Sequence, residues 1–144
     1  MKIRWIETDD EDIEIDIKMS ANHPKRKTLE HLLSQLEGFV IGIKDNLRYK
    51  ILYKDLYYVE NREDMSTLFT KNDAFKSPYR LYEIVELSPY FVRIHKSFVV
   101  NVLKIKSFKS LLNGKLEVTL LNGDRLEISR SYVNELKEKL KGAI

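Results

Sequence analysis

The sequence predicts a mainly β domain with helices, of the α+β class, whose strands are short and antiparallel. Three observations favour this class. Segments that alternate apolar and polar residues, or that are rich in β-branched and aromatic residues, recur along most of the chain. Two Asn-Gly pairs, at residues 113–114 and 122–123, separate such segments, and this dipeptide is the strongest short-range signal of a β-hairpin. Leucine spacing typical of a helix is confined to a few stretches.

The first elements are predicted to be two strands, at residues 2–7 and 13–19. Isoleucine occupies every second position from Ile13 to Ile17, with charged residues between, which is the period of a half-buried strand. The acidic residues between the two strands would form a solvated hairpin loop. A helix is predicted at residues 24–37, where leucines recur at helical spacing until Gly38, and a third strand at residues 39–44.

The rest of the chain is predicted to contain short strands and two further helices. Pro89 closes the first of these helices, at residues 81–87, and Gly142 stops the second, at residues 131–141. The strands are expected at residues 49–53, 56–60, 66–70 and 91–95, and in a meander at residues 105–111, 115–121 and 125–128.

Charge divides the chain into two predicted units, although the formal net charge is only +3. Residues 1–44 have seven basic and nine acidic side chains and form an acidic N-terminal appendage of strand, strand, helix and strand. Residues 45–144 have 18 basic and 13 acidic side chains, and no acid occurs among the six bases between Leu87 and Leu116. This window indicates either a solvated face or a surface for a polyanion, because binding to phosphate needs bases without nearby carboxylates.

Composition excludes several classes of protein. A length of 144 residues favours one domain with a short appendage. Without cysteine, the chain can form no disulfide, Cys-based zinc site or catalytic thiol. No apolar run of 18 residues is present, so a membrane span is excluded, and the acids at residues 7–12 leave no place for a signal peptide. A cytoplasmic location is expected.

The sequence contains no pattern typical of an enzyme. The three histidines, His23, His31 and His95, are far apart and lack metal-ligand spacing. No glycine-rich nucleotide loop and no G-x-S-x-G hydrolase motif occurs. We therefore expect no catalytic residue, metal or cofactor.

The segment FVRIHKSFVVN, at residues 91–101, is the first candidate binding site. In strand geometry Arg93, His95 and Ser97 project from one face, where they offer hydrogen-bond donors to phosphate or base edges. The alternative is an internal hydrogen-bond network that closes the end of a strand. For Asn101, ordering of a turn through bonds to the backbone is the stronger interpretation.

The segment ISRSY, at residues 128–132, is the second candidate, because a strand gives way there to the last predicted helix. The N-terminus of a helix presents free N–H groups and favours an anion. Beside it, Ser129 could contact phosphate, and Arg130 could bind phosphate or fork onto a guanine. A capped junction with a solvent-facing arginine is the alternative.

Five motifs follow one another along the chain: DLYYVE at residues 55–60, LYEIVEL at 81–87, FVRIHKSFVVN at 91–101, LNGD at 121–124 and ISRSY at 128–132. In this order and spacing they resemble the LytTR-type DNA-binding domain of bacterial transcription regulators. The resemblance covers about two-thirds of the chain, from Leu47 to Lys141.

The resemblance implies short antiparallel strands whose loops enter successive major grooves at paired direct repeats of double-stranded DNA. Lys96 and Arg130 match positions at which the family inserts side chains toward DNA. In a third loop, at residues 61–66, the acidic Glu63 and Asp64 make Arg62 and Ser66 the expected contacts. The complete set of predicted DNA-binding residues is Arg62, Ser66, Arg93, His95, Lys96, Ser97, Asn101, Lys104, Lys106, Lys109, Ser129 and Arg130.

The expected function is that of a stand-alone bacterial transcription regulator. Related regulators often carry a receiver domain, for which 44 residues are too few. Residues 1–44 are expected to mediate homodimerisation or to contact a regulatory protein, or else to complete the packing of the domain. Two alternatives to DNA binding stay open: a module whose basic face binds an acidic protein partner, and RNA binding.

Overall fold

Two antiparallel sheets and three helices form the protein in a computed structural model that describes residues 1–10 and 13–143. This architecture confirms the predicted α+β class. The helices are α1 (Arg26–Glu37), α2 (Leu81–Leu87) and α3 (Arg130–Ala143). The strands are β1 (Phe39–Lys44), β2 (Leu47–Leu52), β3 (Tyr58–Arg62), β4 (Met65–Phe69), β5 (Ala74–Lys76), β6 (Phe91–His95), β7 (Phe98–Asn101), β8 (Ile105–Ser110), β9 (Leu116–Leu120) and β10 (Arg125–Ile128).

The larger sheet has seven strands in the order β2-β1-β5-β4-β3-β7-β6. Its edges are therefore β2 and β6. Most neighbours are joined by short turns, whereas β3 pairs with β7 over a long sequence separation, with Tyr58 opposite Val100. The sequence did not predict β5 or β7 as separate strands. With only three residues, β5 is too short to show alternation, and β7 is a mostly apolar run that follows a turn without glycine.

The smaller sheet has three strands in the order β10-β9-β8, and both predicted Asn-Gly turns join them. Asn113 and Gly114 have φ values of 67° and 76°, the left-handed region that this dipeptide adopts with little strain. In the second turn Gly123 has φ 94°, and the side chain of Asn122 accepts a hydrogen bond of 3.1 Å from the N–H of Asp124. The predicted meander is confirmed.

Two hydrophobic cores lie on opposite faces of β6 and β7. Val92, Ile94 and Val100 face the core that α3 and the smaller sheet cover. Phe91 and Val99 face the other core, which α2 and the strands β1 to β4 share. Because successive residues of a strand point to opposite faces, these two short strands belong to both cores and are fixed from both sides.

The predicted strands at residues 2–7 and 13–19 are wrong. The described residues before α1 pair with no strand, and their apolar side chains are exposed, as in Trp5 at 88%. Alternation shows only that a segment could be a half-buried strand, because a strand also requires a partner for its backbone groups and a core for its apolar face. Glu11 and Asp12, in the expected loop, lie outside the described residues, as does the side chain of Leu36 in the leucine stripe.

The third predicted strand of the appendage, β1, is part of the larger sheet. It pairs with β2 along its whole length and with β5 at Ile43, and Val40 is fully buried. The expected boundary after Lys44 thus falls at the turn of the β1–β2 hairpin. In the part of the chain that the structure describes, no helix is both long and apolar enough to cross a membrane.

Candidate nucleic-acid interface

Three loops meet at one end of the central strands. The N–H of Asn61, at the end of β3, donates a hydrogen bond of 2.8 Å to the carbonyl oxygen of Ser97 in the β6–β7 turn. The N–H of Ser129, after β10, donates one of 3.0 Å to the carbonyl oxygen of Ile94 in β6. These bonds place residues 62–64, 96–97 and 129–130 side by side, and we call them the loop surface.

The β6–β7 turn is held by its own side chains. The Nε of Arg93 donates to the carbonyl oxygen of His95 at 2.9 Å, and its guanidinium also donates to the carbonyl oxygen of Lys96 at 2.5 Å. Nδ1 of His95 accepts a hydrogen bond of 3.1 Å from the N–H of Ser97. The internal network that the sequence left open is therefore present.

Lys96 is the exposed residue of that turn, whereas Arg93, His95 and Ser97 are half-buried. The two bonds to carbonyl oxygens use two of the five N–H donors of Arg93. Because Nδ1 of His95 accepts, the neutral ring carries its proton on Nε2, which can donate outward. The turn can thus present the exposed ammonium group of Lys96 on a main chain that these hydrogen bonds hold in place.

The β3–β4 turn is strained and acidic. Glu63 and Asp64 have φ values of 52° and 61°, the left-handed pair that a two-residue hairpin turn of type I′ requires, although neither is glycine. Arg62 is 80% exposed in its side chain and pairs with Glu60 at 3.0 Å. Ser66 is half-buried beside this turn. The β3–β4 turn therefore has one arginine, paired with Glu60, next to two further acidic residues in the sequence.

Asn61 is the residue of this site that the sequence analysis missed. Its Oδ1 is buried and, among the described residues, has no hydrogen-bond partner. Its N–H makes the bond to Ser97 that joins two loops. The N-R-E-D sequence indicated only a polar turn, and the bond to Ser97 depends on the long-range β3–β7 pairing, so no local signal could have identified it.

The third loop is the junction of β10 and α3. Ser129 is half-buried, and its carbonyl oxygen accepts a hydrogen bond of 2.9 Å from the N–H of Tyr132 in the first turn of α3. Arg130 is exposed, and its side chain runs past Gly114, where an added Cβ would lie 3.0 Å from the Arg130 Cδ. The Asn113-Gly114 turn therefore adjoins the loop surface, beside the positive end of the α3 dipole.

Asn101 is not placed to contact DNA, which corrects the prediction that included it. It is only 1% exposed. Its Nδ2 donates to the carbonyl oxygens of Tyr53 and Leu56 at 3.2 and 2.9 Å, and its Oδ1 accepts from the N–H of Leu103 at 3.1 Å. Its side chain thus connects the 3-10 turn at Tyr53–Asp55 with the 3-10 turn at Val102–Lys104.

Lys104 is also separate from the loop surface. It follows β7 at the end opposite the β6–β7 turn, and its ammonium lies 5.2 Å from the centre of the Tyr57 ring in a cation–π contact. Near the same end of β3, the hydroxyl of Tyr58 donates to Asp124 at 3.3 Å. Burial, with the neighbouring carboxylates of Asp124 and Glu60, raises the pKa of Tyr58 to about 12.

The other two lysines of the predicted set lie on β8. Lys109 is exposed and pairs with Glu117 on β9 at 3.6 Å, near the end of β8 that leads to the Gly114 turn. Lys106 is exposed at the other end of the strand. Lys109 therefore lies on the side of the loop surface near Arg130, whereas Lys106 lies toward the end of β8 that follows Lys104. Among residues 1–10 and 13–143, no group of three acidic or histidine side chains is arranged to hold a metal ion.

Comparison with known proteins identifies a LytTr DNA-binding domain in the chain. Residues 47–141 match the family model of the LytTr DNA-binding domain. The chain also resembles the LytTr DNA-binding domain of a protein from Bacillus cereus, with a TM-score of 0.67 and 23% identity, over 71% of this chain and 95% of that one. That likeness shows a shared fold.

The curated relatives that the chain matches are longer proteins. The chain is 35% identical over 94 residues to the sensory transduction protein LytT of Enterococcus faecalis. The aligned region is 64% of this chain and 39% of that protein. It is 29% identical over 99 residues to the transcriptional regulatory protein YpdB of Escherichia coli, and this region is 67% of this chain and 41% of that protein. For the transcriptional regulatory protein LytR of Staphylococcus aureus, identity is 26% over 107 residues, with 72% and 43% covered. The chain thus spans about two-fifths of the length of these relatives.

Proposed function

Because the chain belongs to the LytTr DNA-binding domain family, we propose that it binds double-stranded DNA at specific sequences and acts as a bacterial transcriptional regulator. The observation that carries the proposal is the loop surface, in which main-chain hydrogen bonds hold the exposed Lys96 and Arg130 on neighbouring loops. A regulator of this kind works in the cytoplasm, where bacterial DNA lies.

The loops enter successive major grooves on one side of the duplex, at paired direct repeats. A major groove admits an element about 12 Å wide, and base edges are read there by side chains that project from a rigid support. Lys96 at the tip of its turn and Arg130 at the start of α3 are the residues that contact bases or phosphates first. The guanidinium of Arg130 has the geometry for a two-bond contact with guanine O6 and N7.

The remaining residues of the predicted set act in two ways. Arg93, His95 and Ser97 set the shape of the β6–β7 turn through their mutual hydrogen bonds and offer their remaining donors to the backbone of the DNA. Supporting phosphate contacts come from two residues beside these loops, Lys109 and Ser129, whereas Lys106 lies at the end of β8 next to Lys104. Asn101 is buried and Lys104 lies at the far end of β7, so neither belongs to the proposed interface.

The β3–β4 turn contributes least to affinity. Arg62 and Ser66 are its proposed contacts, but the charge of Arg62 is offset by Glu60, and the tip of the turn is acidic. A carboxylate near a phosphate is repelled, although it can accept a hydrogen bond from the amino group of cytosine. We therefore expect the sequence preference of this protein to depend mainly on the other two loops.

The observations favour duplex DNA over RNA. Recognition of RNA usually stacks unpaired bases on exposed aromatic side chains. Phe98, which follows the β6–β7 turn, is half-buried against His95, and Tyr90 and Phe91 at the other end of β6 are buried. Residues 62–64, 96–97 and 129–130 include no aromatic side chain, so the basic groups of the loop surface meet a phosphate backbone without a stacking platform of their own. Binding of an acidic protein partner by the same face is the alternative that the experiment below separates.

The proposal is tested by selecting bound duplexes from a random DNA pool and measuring affinity for the enriched sequence over a range of salt concentrations. We expect an enriched pair of spaced half-sites and a steep loss of affinity with salt. The double variant Lys96→Ala/Arg130→Ala should lose this binding, whereas Lys104→Ala should keep it. An unenriched pool, or equal binding by the double variant, would show that this surface serves another partner.

A further inference from the structure

The segment at residues 13–18 has the pattern of a strand but no strand partner in the described part of the chain. Ile13, Ile15 and Ile17 are exposed by 86%, 50% and 44%. Glu14 and Asp16 alternate with them. An apolar row of this length on an acidic segment is costly to leave in water, and its period suits one face of a sheet.

At the edge of the larger sheet, β2 offers a matching surface. It pairs with β1 on one side, and among the described residues no strand pairs with its other side. On the face that turns toward the core, Leu47 and Tyr49 remain 58% and 39% exposed because no further strand covers them. The opposite face carries Arg48 and Lys50, and β2 contains no acid.

The two segments complement each other in both apolar and charged residues. If residues 13–17 run antiparallel to β2 with Ile15 opposite Tyr49, the isoleucines fall beside the apolar residues of β2. The same register places Glu14 opposite Lys50 and Asp16 opposite Arg48 on the other face. Opposite charges in directly paired positions stabilise a sheet, and the exposed edge gains main-chain hydrogen bonds.

We propose that two copies of the chain form a dimer by exchanging these segments, so that residues 13–18 of each copy extend the sheet of the other at β2. A second copy is the favoured occupant because each chain supplies both an uncovered segment and an uncovered edge, and because the segment does not lie on its own sheet. A reciprocal exchange covers both edges and closes the assembly with two-fold symmetry.

The rest of the structure permits this exchange. Residues 19–25 separate the segment from α1 and can span roughly 25 Å when extended, at about 3.5 Å per residue. The edge strand β2 is four strands from β3, or roughly 20 Å at about 4.8 Å per strand. The loop surface at the end of β3 consequently stays open in the dimer.

The absence of cysteine from the natural sequence makes a crosslinking test clean. The single variants Asp16→Cys and Arg48→Cys are mixed, without DNA, under mild oxidation, and one of them is enlarged with a tag. We expect a mixed disulfide at least about tenfold faster than for the pair Asp16→Cys and Tyr49→Cys, whose side chains would point to opposite faces. An equal or absent mixed disulfide overturns the register.

The double variant Asp16→Cys/Arg48→Cys separates exchange from pairing within one chain. Exchange gives a covalent dimer, whereas an internal disulfide in a monomer would overturn the proposal. Ile15→Asp should in addition convert the dimer seen by light scattering to a monomer, while Ile6→Asp, an exposed change outside the segment, should leave it intact. A wild-type protein that is monomeric at micromolar concentration also overturns it. All of these readouts are independent of DNA binding.

Discussion

The N–H of Ser129 donates a hydrogen bond of 3.0 Å to the carbonyl oxygen of Ile94, and this bond joins the residue before α3 to the second-last residue of β6. Ile94 is itself fully buried, so the acceptor cannot move independently of the core. The position of Arg130 relative to Lys96 is therefore set by the main chain. A site built in this way can present two side chains at a fixed spacing to a rigid ligand such as duplex DNA.

Arg130→Ala should relax sequence discrimination at one position of the binding site. If the guanidinium contacts a guanine with two hydrogen bonds, its loss costs about 1–3 kcal/mol of discrimination against the wrong base. Fluorescence anisotropy with the selected duplex and with single-base variants of it measures this difference. The control is Arg125→Ala, which removes an exposed arginine at the other end of β10. Equal losses for both variants would assign Arg130 a general electrostatic role.

Lys96→Ala should weaken binding to all duplexes and reduce the salt dependence of the affinity. Loss of one phosphate contact changes the slope of log K against log salt by about 0.9. Lys104→Ala removes the same charge at the far end of β7, and its slope should match the wild type. If Lys104→Ala changes the slope as much as Lys96→Ala, the interface extends beyond the loop surface.

Asn101→Ala should destabilise the fold without a specific effect on DNA binding. The change leaves the carbonyl oxygens of Tyr53 and Leu56 and the N–H of Leu103 without their side-chain partner. The carbonyl oxygen of Tyr53 still accepts from the N–H of Leu56. Because the other two groups cost about 1–3 kcal/mol each when unsatisfied, we expect the free energy of unfolding in urea to fall by about 2–6 kcal/mol. Asn134→Ala, on the exposed side of α3, serves as the control. Reduced affinity in a variant of unchanged stability would restore Asn101 as a DNA contact.

The free energy of unfolding should fall as pH rises from about 10 to about 12, because the pKa of Tyr58 is raised in the folded protein. Its pKa is about 12 in the folded protein against 10.0 for the ordinary phenol, because of burial and of the carboxylates of Asp124 and Glu60. In this window the unfolded chain loses the proton while the folded chain keeps it, so the free energy of unfolding falls with pH. Urea denaturation should show a flatter pH dependence for Tyr58→Phe than for the wild type. Tyr82→Phe, the same change at an exposed tyrosine, is the matched control.

Local patterns predicted the elements that depend on local chemistry. The Asn-Gly turns, α2 over Leu81–Leu87 and β6 over Phe91–His95 formed where the sequence indicated, because turn residues and side-chain period decide them. The N-terminal strands did not form, because a strand requires a partner that alternation cannot reveal. The three-residue β5 is likewise held by pairing with β4 and β1 rather than by its own pattern.

The sequence indicated which segments form the candidate interface. It was less informative about the role of each residue within those segments. The motif at residues 91–101 contained both the exposed Lys96 and the buried Asn101, and only the packing of the chain separates them. Lys104 belonged to the same acid-free window but follows the opposite end of β7. Distance along a strand, which a charge count ignores, decides whether two bases can reach one ligand.

The connectivity of the sheets bears on the order in which the protein folds. Many consecutive strands pair as hairpins, and a hairpin forms in about 1–10 μs. These pairs include β1–β2, β3–β4, β6–β7, β8–β9 and β9–β10. The β3–β7 pairing, by contrast, closes a loop of about forty residues, and such non-local contacts slow folding because the loop entropy is lost first. That same pairing brings Asn61 to Ser97. We therefore expect the loop surface to assemble only with this long-range step, because no isolated hairpin of this chain contains all of it.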